Sequence, residues 1–255
     1  MSMSVTSSLK LKRLIIKLIF IVLTLVIAAL FLLTFKIKDV QTDGNVYTPE
    51  EDIVSAAAIN VGSHIYSIDK NAIAENVMRK NPYVISVSVR RTLPSTLRLI
   101  VTEDKPAFYS LVGDDFCVIS PSLRVLEKHA SSEQLSGRGL IPIVLPETKS
   151  AQPGTEIVFR DKKDGEVCRS LIEKFLSSDI SEQISSIDLS ERFDITLMYN
   201  KKYTVVFGDY SDIDKKLRLA VKTIRHVEET MPTVKGTVYA SIEGEASFLV
   251  TGTVS

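Results

Sequence analysis

The residues of this 255-residue chain that could do chemistry are a serine and a lysine three apart, three histidines, two cysteines and an arginine pair. Ser67-Ile68-Asp69-Lys70 has the S-x-x-K spacing of serine acyl-transfer enzymes, where a helix sets a lysine amine beside the nucleophilic hydroxyl. That chemistry also uses S-D-N and K-T-G segments further along the chain. Neither occurs, and Lys235-Gly236-Thr237 has the wrong order. Asp69 as a helix cap accounts for the same residues. His64, His129 and His226 are scattered, with no HExxH spacing and no serine–carboxylate pattern that assembles a triad. Cys117 and Cys168 have no nearby Cys or His with which to share a metal. They read as small buried apolar residues, though an oxidising compartment would permit a bridge. Arg90 and Arg91 end a strand and read as solvation of a hairpin, a partner carboxylate being the alternative. Tyr66, Tyr109 and Tyr210 show no stacking pattern and read as packing residues. No Gly-rich phosphate loop is present. The sequence thus predicts no catalytic, cofactor-binding or metal-binding residue, and no small-molecule substrate.

What must position anything this chain does is its apolar stretch Leu14–Phe35, broken only by Lys17 and free of charge from Leu18 onward. About 18 such residues at ~1.5 Å each approach the ~30 Å hydrocarbon core of a bilayer. Lys10, Lys12, Arg13 and Lys17 precede or enter the run with no acidic residue, whereas Lys36 and Lys38 after it are answered by Asp39 and Asp43. The larger basic excess stays cytoplasmic, so the expectation is a single-pass type II protein with its N-terminus inside. The run is longer than a signal-peptide core and no A-x-A-like site follows, which favours an uncleaved anchor. All six Lys/Arg of the first 38 residues face no Asp/Glu, so the rest of the chain holds 25 basic against 31 acidic residues. That acidic balance argues against nucleic acid as a partner.

Beyond the anchor the pattern is α+β. Residues 1–10 are polar and read as disordered. Phe35–Val40 reads as a short strand, followed by the turn Asp43-Gly44-Asn45. Thr48-Pro49-Glu50-Glu51 reads as a capping box opening a helix with Ile53, Val54 and Ala57 inward. Asp69 caps a second helix to Lys80, with Ile73, Val77 and Met78 inward. Tyr83, Ile85, Val87 and Val89 then alternate, as do Leu97, Leu99 and Val101, giving a hairpin around Leu93-Pro94-Ser95. Pro106 marks a boundary. After it come short strands at Ala107–Leu111, Phe116–Ile119 and Arg124–Glu127, then a polar loop at His129–Gly139. A helix is expected at Val167–Leu176, strands at Ile184–Leu189, Asp194–Tyr199 and Lys202–Gly208, and an amphipathic helix at Asp212–Glu229. Gly236–Ile242 and Ala246–Thr251 make a last hairpin around Glu243-Gly244-Glu245.

The pattern Arg91-x-x-Pro94-x-x-Leu97-x-Leu99-x-Val101-x-Glu103-x-x-Pro106 resembles the end of the POTRA domain of the FtsQ/DivIB cell-division proteins. Gly44-Asn45, Ile68-Asp69, Asn81-Pro82-Tyr83-Val84, Ile187-Asp188-Leu189, Phe207-Gly208 and Lys215-Lys216-Leu217 fit the same family in the same order. One departure is Ser120-Pro121-Ser122-Leu123, where the family often has an Asp-x-x-Gly turn, and the chain ends at Ser255 without the polar tail of some members. The resemblance implies a cytoplasmic tail (1–13), a transmembrane helix (14–35), a β-α-α-β-β POTRA domain (36–105) and an α+β domain with a mostly antiparallel sheet (106–255). It implies a divisome scaffold at the septum rather than an enzyme, with no cofactor. Its partners would be the bilayer and FtsL-like and FtsB/DivIC-like single-pass proteins, and it would help regulate septal peptidoglycan synthesis.

The family's partner surface lies at the end of the chain, where a partner strand adds to the sheet. Here that is Ala246, Ser247, Phe248, Leu249, Val250 and Thr251, with Phe248 and Val250 expected to supply selectivity. Two other classes remain open: a membrane-tethered cell-envelope enzyme, which would need a convergent polar pocket, and a POTRA module of a polypeptide transporter. The latter calls for a membrane β-barrel, for which about 150 remaining residues with helices among them are too few.

Overall fold

The computed structural model describes residues 3–240 and 244–253. The chain divides into two compact units, one ending at Glu103 and the other starting at Asp104. The first unit opens with helix α1 (Met3–Thr34), whose segment Lys12–Phe31 is long and apolar enough to cross a membrane and is not buried in protein. The helix also takes in Met3–Lys10, predicted to be disordered, because extending a formed helix by one residue costs far less than nucleating one. Met1 and Ser2 lie outside the described residues. The predicted strand at Phe35–Val40 falls later: β1 is Asp39–Asp43. Phe35 and Ile37 are taken up by the loop 62–65, through Ile65 N–H to Phe35 O (2.8 Å), Ile37 N–H to Ser63 O (2.9 Å) and Gly62 N–H to Ile37 O (2.8 Å).

The rest of the unit is α2 (Glu50–Ala57), α3 (Lys70–Lys80), β2 (Val84–Thr92) and β3 (Thr96–Glu103), with β3 central, parallel to β1 and antiparallel to β2. This is the β-α-α-β-β order read from the sequence. Ile53, Ala56 and Ala57 of α2 and Ile73 and Val77 of α3 pack on Val84, Val89, Leu99 and Val101. Asp69 caps α3 as predicted, accepting from the amides of Asn71 (2.9 Å) and Ala72 (3.2 Å). Gly44 sits at φ +87°, and a Cβ there would lie 2.3 Å from the Val101 carbonyl oxygen, so the turn admits only glycine.

Two local predictions give way to longer-range contacts. The capping box at Thr48 does not form: Pro49 occupies the N-cap of α2 with no side-chain cap bond. The Glu103 carboxylate instead accepts the amides of Val46 (2.6 Å), Tyr47 (2.7 Å) and Thr48 (2.9 Å), tying the end of β3 to the loop before α2. The β2 alternation breaks at a β-bulge between Val84 and Ser86, which turns Ile85 outward and Val84 into the core.

The second unit contains β4 (Phe108–Val112), β5 (Asp115–Ile119), β6 (Val125–His129), β7 (Ile141–Val144), β8 (Thr148–Ser150), β9 (Val158–Phe159), α4 (Lys162–Leu176), β10 (Ile184–Asp188), β11 (Ile195–Tyr199), β12 (Tyr203–Gly208), α5 (Ile213–Thr230), β13 (Val234–Tyr239) and β14 (Ser247–Thr253). Among the described residues nine strands form one sheet in the order β14-β13-β12-β11-β10-β7-β4-β5-β6, and β8 pairs with β9. The sheet is mixed: β12·β13, β7·β10 and β4·β7 are parallel and the other pairs antiparallel. Tyr203, Val205 and Phe207 alternate inward with Ile195, Leu197 and Tyr199, and meet Phe175 of α4 and Ile213, Ala220 and Ile224 of α5. Phe175 and Phe207 stack at 5.5 Å.

Helix α4 begins five residues before its predicted start, because Asp161 accepts the Lys163 amide (2.9 Å) and Gly165 leaves room for the Phe159 ring. The Ser120–Leu123 turn does form. Leu123 N–H donates to Ser120 O (3.0 Å) and Leu123 adopts φ +65°, a conformation offset by full burial of its side chain. Lys216 is buried at the start of α5, its amine on the Asp209 carboxylate and carbonyl (2.9 Å to the latter), and this contact holds the Asp209 carboxyl below its ordinary range. Both cysteines are buried free thiols. Burial raises the pKa of Cys117, and burial beside Asp164 pushes Cys168 up to about 12.

Partial burial alone would raise the pKa of Glu103, but the hydrogen bonds from Thr48, Tyr47 and Val46 outweigh it and bring the net value below 4.5. A carboxyl with a depressed folded pKa stabilises the fold above its unfolded pKa, and that contribution fades as pH falls through the folded value. Glu103→Gln is therefore expected to lower the stability of the first unit at neutral pH by about 1.5–3 kcal/mol. It should also speed hydrogen exchange at the Val46, Tyr47 and Thr48 amides. The difference from the unaltered chain should shrink below pH 4.5.

Candidate functional site: an open sheet edge

Ser67 and Lys70 do not form the pair that S-x-x-K chemistry needs. Ser67 lies in the turn before α3, its hydroxyl donating to His64 O (2.8 Å), while Lys70 opens the helix that Asp69 caps. His129 contacts Glu127 (2.5 Å), which also takes a bidentate bond from Arg138, and His226 is exposed on α5. Among the described residues no group of three or more His, Cys, Asp or Glu could hold a metal ion. Tyr66 departs from the packing role read from the sequence: it is exposed, stacks on Phe31 and lies under the Arg91 guanidinium.

The nine-stranded sheet ends at β6 on one side and β14 on the other. At the β6 edge, the chain from Gly154 to Ile157 covers the residues leading into the strand: Val125 N–H donates to Thr155 O (2.9 Å), Gly154 N–H to Val125 O (2.8 Å) and Ile157 N–H to Leu123 O (2.9 Å). Charged Glu127 and Lys128 occupy the remainder. Charge and cover are the devices by which sheet edges are kept from pairing further. The β14 edge has neither. Ser247–Thr253 carries no charge and no proline, and its only strand partner among the described residues is β13. Leu249 and Val250 are 55% and 50% exposed.

Of the six residues predicted as the partner site, Ala246 precedes the strand and packs on the core, and the other five lie in β14, which runs on to Thr253. The structure separates their roles. Phe248 is half-buried, edge-on to Tyr203 (6.0 Å), and packs onto the core rather than facing outward. Leu249 and Val250 are the exposed apolar pair. A bulge between Lys235 and Gly236 sets Gly236 opposite Val250 and Lys235 opposite Gly252, leaving Thr251 as the extra residue. Sequence reasoning missed Gly236. A Cβ there would lie 2.4 Å from the Leu249 carbonyl oxygen and 2.4 Å from the Phe248 ring, so its absence lets β14 close on β13 with the ring over the gap. A glycine inside a strand is the one local signal that pointed to it. Ser241 and Ile242 of the predicted strand and Glu243 of the predicted turn lie outside the described residues.

A family model, the FtsQ-type POTRA domain, matches residues 35–104. The chain is 28% identical to the cell division protein DivIB of Clostridium botulinum strain Hall over 242 residues, 94% of this chain and 92% of that protein. It is 29% identical over 213 residues to DivIB of Clostridium acetobutylicum, 82% of this chain and 81% of the relative. Against the cell division protein FtsQ of Corynebacterium glutamicum the identity is 24% over 203 residues, 78% and 82% of the two chains.

Gly236→Ala is expected to force β14 away from β13 at a cost of about 1–3 kcal/mol. The loss should be local: faster hydrogen exchange at the amides of residues 247–253, with the core strands β11 and β12 keeping their protection.

Proposed function

Because the chain belongs to the FtsQ/DivIB family of POTRA-containing cell-division proteins, we propose that it is a divisome scaffold that holds other single-pass division proteins by strand addition at β14. In this reading residues 1–13 are a cytoplasmic tail, 14–35 the membrane span, 36–105 the POTRA domain and 106–255 the partner-binding domain. The protein is a single-pass type II membrane protein enriched at the septum. Its partners are FtsL-like and FtsB/DivIC-like chains, and by gathering them it helps regulate septal peptidoglycan synthesis.

The observation that carries this reading is the contrast between the two sheet edges. An unpaired strand offers a row of N–H and C=O groups that an extended segment of another chain can satisfy, and side chains of alternating direction then select the sequence. The charge balance around α1 supports an inside N-terminus. The role asked of the protein is binding, and no step of it requires a nucleophile, a metal or a cofactor.

The double variant Leu249→Asp/Val250→Lys keeps Phe248 and Gly236 in place, so the edge strand stays packed while its exposed pair becomes charged. Surface substitutions of this kind usually change stability by no more than about 0.5 kcal/mol each. The full chain, purified from detergent-solubilised membranes, is expected to bring down FtsL-like and FtsB/DivIC-like proteins. The double variant should recover at least tenfold less of them, about 1.4 kcal/mol of binding. Equal recovery from a folded variant would overturn strand addition at β14.

A further inference from the structure

A second surface surrounds the point where α1 leaves its apolar span. Phe31, in the last turn of that span, stacks on Tyr66 at 6.1 Å and 15° and lies 5.3 Å from the His64 ring. Phe35, one turn on, is 5.9 Å from Tyr66. The loop carrying Val61 is tied to Ile37 by the Gly62 amide, and the turn carrying Leu93 is tied to Lys38 by the Ser95 carbonyl (2.8 Å). Residues 61–66 and 93–95, with 36–38 themselves, thus form a collar where the chain leaves α1, held together by backbone hydrogen bonds to Phe35, Ile37 and Lys38.

The collar has a composition of its own. Val61, Tyr66 and Leu93 are exposed although apolar or aromatic. Lys36 and Lys38 are exposed, and no acidic residue occurs in 31–38, 61–68 or 91–95. Arg91 is held in place by its Nε–H to Ile65 O (2.8 Å) and by the Tyr66 ring under its Cζ at 5.2 Å. No ion pair to Arg91 forms among the described residues, so its Nη groups have no carboxylate partner there. Aromatic rings with an apolar body and a polar tip, and cations beside them, are what the boundary between hydrocarbon and headgroups selects.

We propose that this collar docks the first unit on the membrane surface: Tyr66, Val61 and Leu93 enter the interfacial layer, and Arg91, with Lys36 and Lys38, takes the phosphates of anionic lipid headgroups. The inference rests on the reading of α1 as a membrane span. Depth decides for lipid over any other occupant. A ring in contact with both Phe31 and Phe35 lies at the level where the span ends, and a guanidinium over that ring lies among phosphates, which its planar fork binds bidentately.

The chain contains no tryptophan, so a single introduced indole reports on one place. Tyr66→Trp, Leu93→Trp, Phe31→Trp and Tyr47→Trp would be made one at a time in the full chain and reconstituted into phosphatidylglycerol vesicles. Position 47 lies beyond the far end of β1, roughly 15 Å further from the span. A nitroxide on the lipid headgroup is expected to quench the indole at position 66 or 93 at least threefold more than the indole at position 47. In the Leu93→Trp background, Arg91→Gln should reduce the quenching in phosphatidylglycerol to the level seen in phosphatidylcholine, while Arg91→Lys, which keeps the charge but loses the fork and the bond to Ile65 O, should fall between the two. Indoles at 66 and 93 quenched no more than the one at 47, with the indole at 31 quenched by an acyl-chain nitroxide, would overturn the collar. An unquenched indole at position 31 would overturn the membrane span on which it rests. A saturable change in the emission of the Leu93→Trp variant when inorganic phosphate is added to the detergent-solubilised protein would overturn the lipid in favour of a free-phosphate site.

Discussion

An open β-sheet leaves a row of unpaired backbone groups at each end, and this chain treats its two rows differently. At β6 the preceding residues are covered by the chain before β9, and the strand itself is short and charged. At β14 a seven-residue strand without a charged side chain is held by β13 alone among the described residues. Two residues hold that second strand in place. The glycine at 236 removes the one side chain that would push β14 away, and Phe248, folded back over it onto Tyr203, anchors the strand from its inner side. The anchor and the exposed Leu249–Val250 pair are adjacent in sequence, so the core fixes the strand without using up the side chains left outside.

The long helix explains why the edge falls at the end of the chain. Strand β12 is the last inward-facing strand of the antiparallel meander begun at β10, and α5 then crosses over so that β13 returns parallel to β12. A parallel return requires a crossover of this kind, whereas the antiparallel final strand does not. The crossover is secured at its start by Lys216, whose amine reaches the Asp209 carboxylate from inside the fold, while Asp212 adopts a left-handed conformation between them. A buried lysine without that partner would be costly, so the start of α5 is tied to the end of β12 through one contact.

Much of this architecture can be read from residues alone. The apolar anchor, the capped helix at Asp69, the strands from β10 to β12 and the amphipathic α5 all carry patterns of period two or 3.6 that tertiary packing then uses. What the sequence hides has common physical causes. Strand β7, which joins the two halves of the large sheet, is four residues long and contains Pro142, so it has too few residues to show an alternation. The bulge at Val84 shifts the phase of β2 by one residue, which no local pattern announces. The Thr48 amide finds Glu103, 55 residues away, in place of the nearby Glu51 carboxylate that a capping box would use. At the site itself, the exposed strand was legible, but the division of labour between Phe248 and Leu249–Val250 depends on Gly236 across the ladder and could not be seen along one strand.

The tether bears on how strong the edge has to be. A strand added along five or six residues gives a handful of backbone hydrogen bonds, each worth only about 0.5–1.5 kcal/mol net, and the incoming segment must be ordered to make them. Such an edge would bind a free peptide weakly. Confining both chains to one membrane by a helix such as α1 raises their effective concentration toward the millimolar range without any further contact. Under the proposed strand addition, a weak and reversible edge would then suffice for assembly.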